Sequence, residues 1–503
     1  MRFLITALLT ISVLPATSFA QPYNKGDTVV VSTKQAPIKV NNKIVEQIDP
    51  GFIFTVTDVD SDSLEVRHTR RGWINKEDVV PLDQAYGYFN RLVEQHPEDV
   101  EWQIARAMIS DADTRIAEIT SLLKQPLRKV NTQSLYIARG NAWSMKQEYE
   151  MAIANFSKAI RLDSSKAPAY NNRGNAWNSL GNYDKAIIDY SAALENDPEN
   201  SVVYFNRGSL WLFKEEHDKA MFDFDMAIRL DPKNALAYYT RGHTWKNKQD
   251  IDQAIADYTE AILIDPNLAM AYYSRGNAWG DKQDYDKAIA DLTRVLLIDP
   301  GYVMAFLDRG VLWNAKGETD LAIEDFSETI RLAPNFPLAY TNRAIAWRDL
   351  KQYANAIEDF SQVIRLEPNN GEAYNNRGWA SLKHGLYDEA ESDFTRALQI
   401  NANDSWAHSC LAWLLSTCPD ADVRDGARAV KHGESACQLT NYENPYYFDT
   451  LAAAYAETGQ FDKAVEWQRK LGDLYNGEAK VEWQEILDHY ERGQPYRIEA
   501  TTH

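Results

Sequence analysis

Eight arginines stand at an interval of 34 residues, at positions 139, 173, 207, 241, 275, 309, 343 and 377. Guanidinium groups repeated at fixed spacing suit two kinds of chemistry, a ladder of anion sites or a set of bidentate ion pairs inside the protein. The spacing favours the second. Aspartate recurs at 189, 223, 257, 291, 325, 359 and 393, sixteen residues after each arginine except the first. Two positions so spaced face each other at one level of an antiparallel helix pair. The expected ion pairs are therefore Arg173–Asp189, Arg207–Asp223, Arg241–Asp257 and their successors. Asn155 replaces the acid after Arg139, which predicts a freer Arg139.

Other reactive side chains form no catalytic pattern. The nine histidines are scattered singly, and there is no Gly-rich phosphate loop, no His pair at metal spacing and no Gly-x-Ser-x-Gly elbow. Cys410, Cys418 and Cys437 are too few for a disulfide framework. They read as small buried hydrophobes, with a Cys410–Cys437 bridge as the alternative. His432 with Cys410 and Cys437 lacks the number and spacing of a metal cluster. The expectation is a non-enzyme with no cofactor and no metal. A formal charge of -20, with no basic run, excludes a phosphate backbone as ligand.

The elements that carry the arginines follow from the same register. Trp stands four residues after Arg at 143, 177, 211, 245, 279, 313 and 347, and Pro closes units at 198, 232, 266, 300, 334 and 368. Within one unit, Tyr170 to Trp177 has large residues at helical spacing, Gly181-Asn182-Tyr183 makes a turn, and Asp184 to Asn196 is a second helix. Gly174 and Ala186 let the two helices approach. Pro198 cannot continue the second helix, so it resets the chain for the next hairpin. The Trp column reads as core.

This pattern resembles the tetratricopeptide repeat, with Tyr first, Trp later and Arg where Leu is usual. Eight regular units cover 132–403, and two divergent units follow at 404–476, the first with an insertion around Cys418 to Gly426. Residues 84–131 form a helical linker with a degenerate unit, since Arg106 lies 33 residues before Arg139. Residues 477–503 supply a capping helix and tail. The resemblance implies a mainly α fold, a right-handed α-solenoid of helix hairpins whose first helices line a concave groove. It implies a protein or peptide partner held in that groove.

The groove-facing position before each Arg carries Asn172, Asn206, Thr240, Ser274, Asp308, Asn342 and Asn376. An amide donates and accepts at once, so it can hold an extended main chain. The column resembles the asparagine ladder of O-linked N-acetylglucosamine transferases, interrupted in the middle. There Phe205, Tyr239, Tyr273 and Leu307 stand two residues before Arg, with Val202, Leu236, Met270 and Met304 three further back. These residues read either as an apolar binding stripe or as packing between units. If they bind, replacing Tyr239 and Tyr273 by Ala weakens capture without unfolding the array.

The N-terminus adds two expectations. Arg2, the apolar run Phe3 to Leu14, Pro15 and Ser18-Phe19-Ala20 read as a signal peptide over 1–20, which places the protein in the periplasm, the cell envelope or outside, with no membrane segment after cleavage. Residues 24–83 alternate with period two between turn signals and end in Arg71-Gly72-Trp73-Ile74 and Asp78-Val79-Val80. They resemble a bacterial SH3-like β-barrel, with Trp73 as core. The resemblance implies contact with cell-wall material or other proteins. Three readings follow: an exported interaction scaffold, an envelope assembly factor with the barrel on the wall, and a substrate-recruiting subunit of a glycosyltransferase-like enzyme. The last lacks room for a catalytic domain.

Overall fold

The computed structural model describes residues 79–471 and 477–498, together with strands between residues 28 and 75. The signal peptide expected at 1–20 and the turns expected at 41–42, 49–51 and 60–62 lie outside the described residues, as does the side chain of Trp73. The chain divides into two compact units, residues 1–250 and 251–503.

The first unit opens with one antiparallel sheet. Its strands are β1 (Thr28–Val31), β2 (Ala36–Val40), β3 (Lys43–Ile48), β4 (Ile53–Val59), β5 (Ser63–Arg67), β6 (Arg71–Asn75) and β7 (Val79–Pro81). They pair in the order β3-β2-β6-β5-β4-β1-β7. Among the described residues no pairing joins β3 to β7 to close the sheet into the expected barrel. Val30 pairs with Val80 across β1 and β7, and both are fully buried against Ala85, Phe89 and Ala105 of the following helices.

Those helices are α1 (Leu82–Gln95), α2 (Val100–Ile109) and α3 (Ala112–Leu122). Hairpins follow: α4 (Lys129–Met145) with α5 (Tyr149–Leu162), α6 (Ala167–Ser179) with α7 (Tyr183–Asn196), and α8 (Ser201–Phe213) with α9 (His217–Leu230). The helix α10 (Ala235–Asn247) ends the unit. The second unit starts with α11 (Ile251–Ile264) and pairs α12 (Ala269–Asp281) with α13 (Tyr285–Ile298), α14 (Val303–Ala315) with α15 (Thr319–Leu332), and α16 (Pro337–Asp349) with α17 (Tyr353–Leu366). It continues with α18 (Gly371–Lys383) and α19 (Tyr387–Ile400), α20 (Ser405–Thr417) and α21 (Gly426–Leu439), α22 (Tyr446–Glu457) and α23 (Phe461–Arg469), and closes with α24 (Gly477–Glu491). Among the described residues no helix is long and apolar enough to cross a membrane.

Each regular hairpin repeats the same local physics. The second helix ends one residue before an Asp-Pro or similar pair: Asp197 leaves the helical region, with φ -143° and ψ 84°, and Pro198 follows it. Asn200, Asn234, Asn370 and Asp404 then cap the next first helix by accepting from the amide three residues on, at 3.0–3.3 Å. The turn between the two helices needs a left-handed residue. Gly181, Gly317 and Gly385 supply it without cost, but Glu215, Gln283 and Lys351 also adopt φ of 59–61° there. Inside the hairpin Gly174 is required by close approach, because a Cβ would stand 2.8 Å from the Tyr190 ring.

Candidate functional site

The arginine column is spent on the architecture. Arg173 donates from Nε and Nη2 to the two carboxylate oxygens of Asp189 at 2.8 and 2.7 Å, and from Nη1 to Ser157 Oγ of the preceding hairpin at 3.0 Å. Arg207 treats Asp223 and Ser191 the same way. In the second unit Arg275, Arg309, Arg343 and Arg377 repeat the fork on Asp291, Asp325, Asp359 and Asp393. The bond to Asp189 holds the Arg173 guanidinium above its ordinary pKa. The aspartates are buried, so these forks present no anion ladder. Arg241 donates to Asp225 at 2.6 Å within its own unit, and Asp257, buried, belongs to the other. Arg139 is not free: Nε donates to Asn155 Oδ1 at 2.8 Å and Nη1 to Thr120 Oγ1 at 2.9 Å. An amide oxygen still accepts the guanidinium proton, but it brings no charge, and burial lowers the Arg139 pKa.

A second charge ladder had no counterpart in the sequence reading. Lys214, Lys248, Lys282 and Lys316 at the ends of first helices each bond an aspartate of the preceding second helix, Asp184, Asp218, Asp252 and Asp286. The signal was present as a Lys seven residues after Arg. The aspartates are solvent-exposed.

What faces solvent on the first helices is the position five residues before Arg. In the first unit Val202 and Leu236 are 55% and 45% exposed; in the second, Met270, Met304 and Leu338 are 44%, 39% and 48% exposed. Leu338 extends the column by one helix, and Trp406 stands at the same position of α20 beyond Glu372, which interrupts it; the 34-residue register locates all three.

The neighbouring stripe is more closed. Leu307 is 2% exposed and packs with Ala322, Phe326 and Ala339, so at this position the packing alternative holds and Leu307 is withdrawn from the binding stripe. Phe205 is half-buried, 6.1 Å from the Phe224 ring. Tyr239 hydrogen-bonds His243 Nε2 at 2.9 Å. Tyr273 donates to Asp308 Oδ2 of the next hairpin at 2.6 Å. Burial, then the bond to Asp308, pushes the Tyr273 hydroxyl well above its usual range, and burial raises the Asp308 carboxyl. Both tyrosines therefore act partly as structural polar groups.

The amide column splits. Asn172 Nδ2 donates to Asn141 Oδ1 at 2.9 Å, and Asn206 Nδ2 to Asn175 Oδ1 at 3.3 Å, linking successive first helices. Asn342 and Asn376 are half-buried and make no side-chain hydrogen bond among the described residues. Their amides retain full donor and acceptor capacity.

The divergent hairpins hold the remaining titratable groups. Cys410, Cys418 and Cys437 are buried free thiols, and burial pushes the Cys437 thiol up to about 11. His432 meets His408, with Nδ1 atoms 2.7 Å apart. Among the described residues no group of three or more His, Cys, Asp or Glu could hold a metal.

Family models bear on the same residues. The tetratricopeptide repeat model matches 167–200, 235–268, 269–302, 337–370 and 371–404, and the TPR repeat model matches 140–178. No curated protein matches the chain. Solved structures share parts of it. YrrB, described as a TPR protein with an unusual peptide-binding site, is 26% identical over 37% of this chain and 95% of its own, with a TM-score of 0.34. The C-terminal part of a TPR repeat-containing protein from Cytophaga hutchinsonii is 20% identical over 47% of this chain and 97% of its own, with a TM-score of 0.43. A tetratricopeptide repeat protein from Parabacteroides merdae is 18% identical over 50% and 99%, with a TM-score of 0.37. The matched segments lie on the stacked hairpins, so the chain carries tetratricopeptide repeats over 140–200, 235–302 and 337–404.

Proposed function

We propose that the chain is an exported, non-catalytic scaffold that holds an extended protein or peptide segment on the first helices of its repeats. The observation that carries this reading is the column of Met270, Met304 and Leu338. It sets large apolar side chains in solvent at one position of the first helices of three successive hairpins, α12, α14 and α16. Isolated exposed apolar residues are ordinary, but a register-locked row of them is a surface kept for contact. Within the same unit Asn342 and Asn376 offer amides that could take the main chain of such a segment. In the first unit Val202, Leu236, Asn172, Asn206, Phe205 and Tyr239 are the corresponding candidates.

Export rests on the apolar run Phe3 to Leu14 and the small residues at Ser18 and Ala20. The alternation of residues 24–83 supports a bacterial SH3-like module there, with cell-wall material as its candidate ligand. Affinity capture from envelope extract, read by mass spectrometry, tests the scaffold. With the full chain carrying Met304→Glu and Leu338→Glu, the retained protein is expected to fall at least about ten-fold, as the loss of ~1.4 kcal/mol or more of contact requires. Unchanged capture at an unchanged melting temperature sinks the reading. Fractionation of cells for the processed chain tests export, and retention of the full chain on peptidoglycan tests the module.

A further inference from the structure

A helix leaves its last four carbonyls without partners in its own ladder, and the first helices of regular hairpins close them with the turn that follows. At the end of α18, the amides of His384, Gly385 and Leu386 take Ala380, Leu382 and Ser381. The end of α20 cannot do this, because the chain leaves through Cys418 and Pro419 into the inserted loop, and proline has no amide proton to return. Its carbonyls go to distant donors instead. Leu415 accepts from the Asp425 amide at 3.0 Å, Thr417 from the Ile498 amide at 3.0 Å, and Ser416 from Arg497 Nη1 at 3.1 Å.

The last two donors belong to residues 494–498, which have neither helix nor strand. Arg497 also bonds Glu457 at the end of α22, whose other oxygen accepts from Arg424 Nε at 3.1 Å. Tyr496 lies 6.2 Å from Trp413 and 6.0 Å from His489 between ring centroids, and Ile498 packs beside the buried core of α20. The site is thus two helix-terminal carbonyls, one carboxylate and an aromatic wall. Its electrostatics favour a cation through the negative ends of two helices and through Glu457, a charge shared with Arg424, whose Nη1 also donates to the Cys418 and Pro419 carbonyls at 2.8 and 3.1 Å. Tyr496, Arg497 and Ile498 are only half-buried, and beside their side-chain packing one main-chain bond from Ile498 and one guanidinium fork from Arg497 tie them to α20 and α22.

We propose that this acceptor site is a docking site for a partner's extended segment of pattern aromatic–Arg–aliphatic, closed in cis by Tyr496, Arg497 and Ile498. The partner segment binds by displacing them, pairing its guanidinium with Glu457 and Ser416 and its next amide with Thr417. The proposal is independent of the apolar column, and the two fail separately. Because the tethered segment competes at millimolar effective concentration, the resting site is mostly shut.

A labelled peptide with the sequence of residues 494–500 is titrated into the full chain and followed by fluorescence anisotropy. It is expected to bind the Arg497→Ala/Ile498→Ala chain at least about ten-fold more tightly than the unmodified chain, since the competing guanidinium and aliphatic side chain are gone. The same peptide with Ala for Arg binds neither, and adding Glu457→Gln abolishes binding. No binding to the double variant at an unchanged melting temperature overturns the proposal, as does a doubling of mass insensitive to the peptide, which would mean exchange between copies. If the double variant unfolds, hydrogen exchange on the unmodified chain decides. The Ile498 amide is expected to exchange far faster than amides of α22 and faster still with millimolar peptide; exchange of both together overturns the proposal.

Discussion

Arg207 and Asp223 meet through two parallel hydrogen bonds of 2.8 Å, and the remaining nitrogen of the same guanidinium reaches Ser191 of the preceding hairpin at 3.0 Å. One side chain thus ties both helices of its own hairpin to the hairpin before it. Asp223 is 1% exposed, so removing its charge strands a cation in a partly desolvated site. Asp223→Ala is expected to cost about 3–5 kcal/mol, read as a lowered urea midpoint. Lys248→Ala removes an ion pair to the solvent-exposed Asp218 and is expected to leave the midpoint unchanged.

Glu215 and Gln283 occupy the turn position that Gly181, Gly317 and Gly385 fill elsewhere, with φ of 60° and 61°. A side chain there crowds the backbone, and glycine does not. Glu215→Gly and Gln283→Gly are each expected to raise stability by about 0.5–1 kcal/mol, which thermal or chemical denaturation of the single variants will measure.

His432 is held at a pKa of about 4, lowered from 6.5 first by burial and then by His408, Arg428 and Lys431. The unfolded chain takes up its proton near 6.5 and the folded chain does not. Folding stability is therefore intact above pH 6.5 and falls as the pH drops from 6.5 towards 4, by up to about 3 kcal/mol. Urea titrations at pH 7 and pH 4.5 should show the loss, and His432→Gln should flatten it. An unchanged slope in the variant would assign the pH effect to other groups.

Tyr273 joins α12 to α14 by a short hydrogen bond to Asp308, which also bonds Asn277 of α12. Tyr273→Phe keeps the ring and leaves the half-buried carboxylate one donor short, at a cost of about 1–2 kcal/mol. The same variant should capture partner as well as the unmodified chain if the exposed column, rather than this hydroxyl, makes the contact. A drop in capture without a drop in stability would return Tyr273 to the binding surface.

Much of this molecule was legible before any fold was known, for a physical reason. A repeat whose hairpins contact their neighbours in one way must hold the same residue type at each point of contact. Arg, Asp, Trp and Pro in fixed register therefore determined the helix pairs, and the interval of sixteen determined that Arg173 faces Asp189. The Lys ladder was equally regular, but its partners lie in the preceding hairpin, and that reach depends on how hairpins stack.

What varies along the register was decided only by the tertiary structure. Leu307 and Met304 are both apolar and three residues apart, yet one is buried against Phe326 and the other stands in solvent. Which of them shows depends on the tilt of α14 against its neighbours, a property of packing and not of periodicity. Arg139 kept a partner because an amide oxygen can stand where a carboxylate was expected. The contact of Arg497 with Ser416 and Glu457 joins residues 81 and 40 positions apart, with no periodic pattern to announce it. The sequence by itself determined the repeat; folding decided which irregular side chains remain available to another molecule.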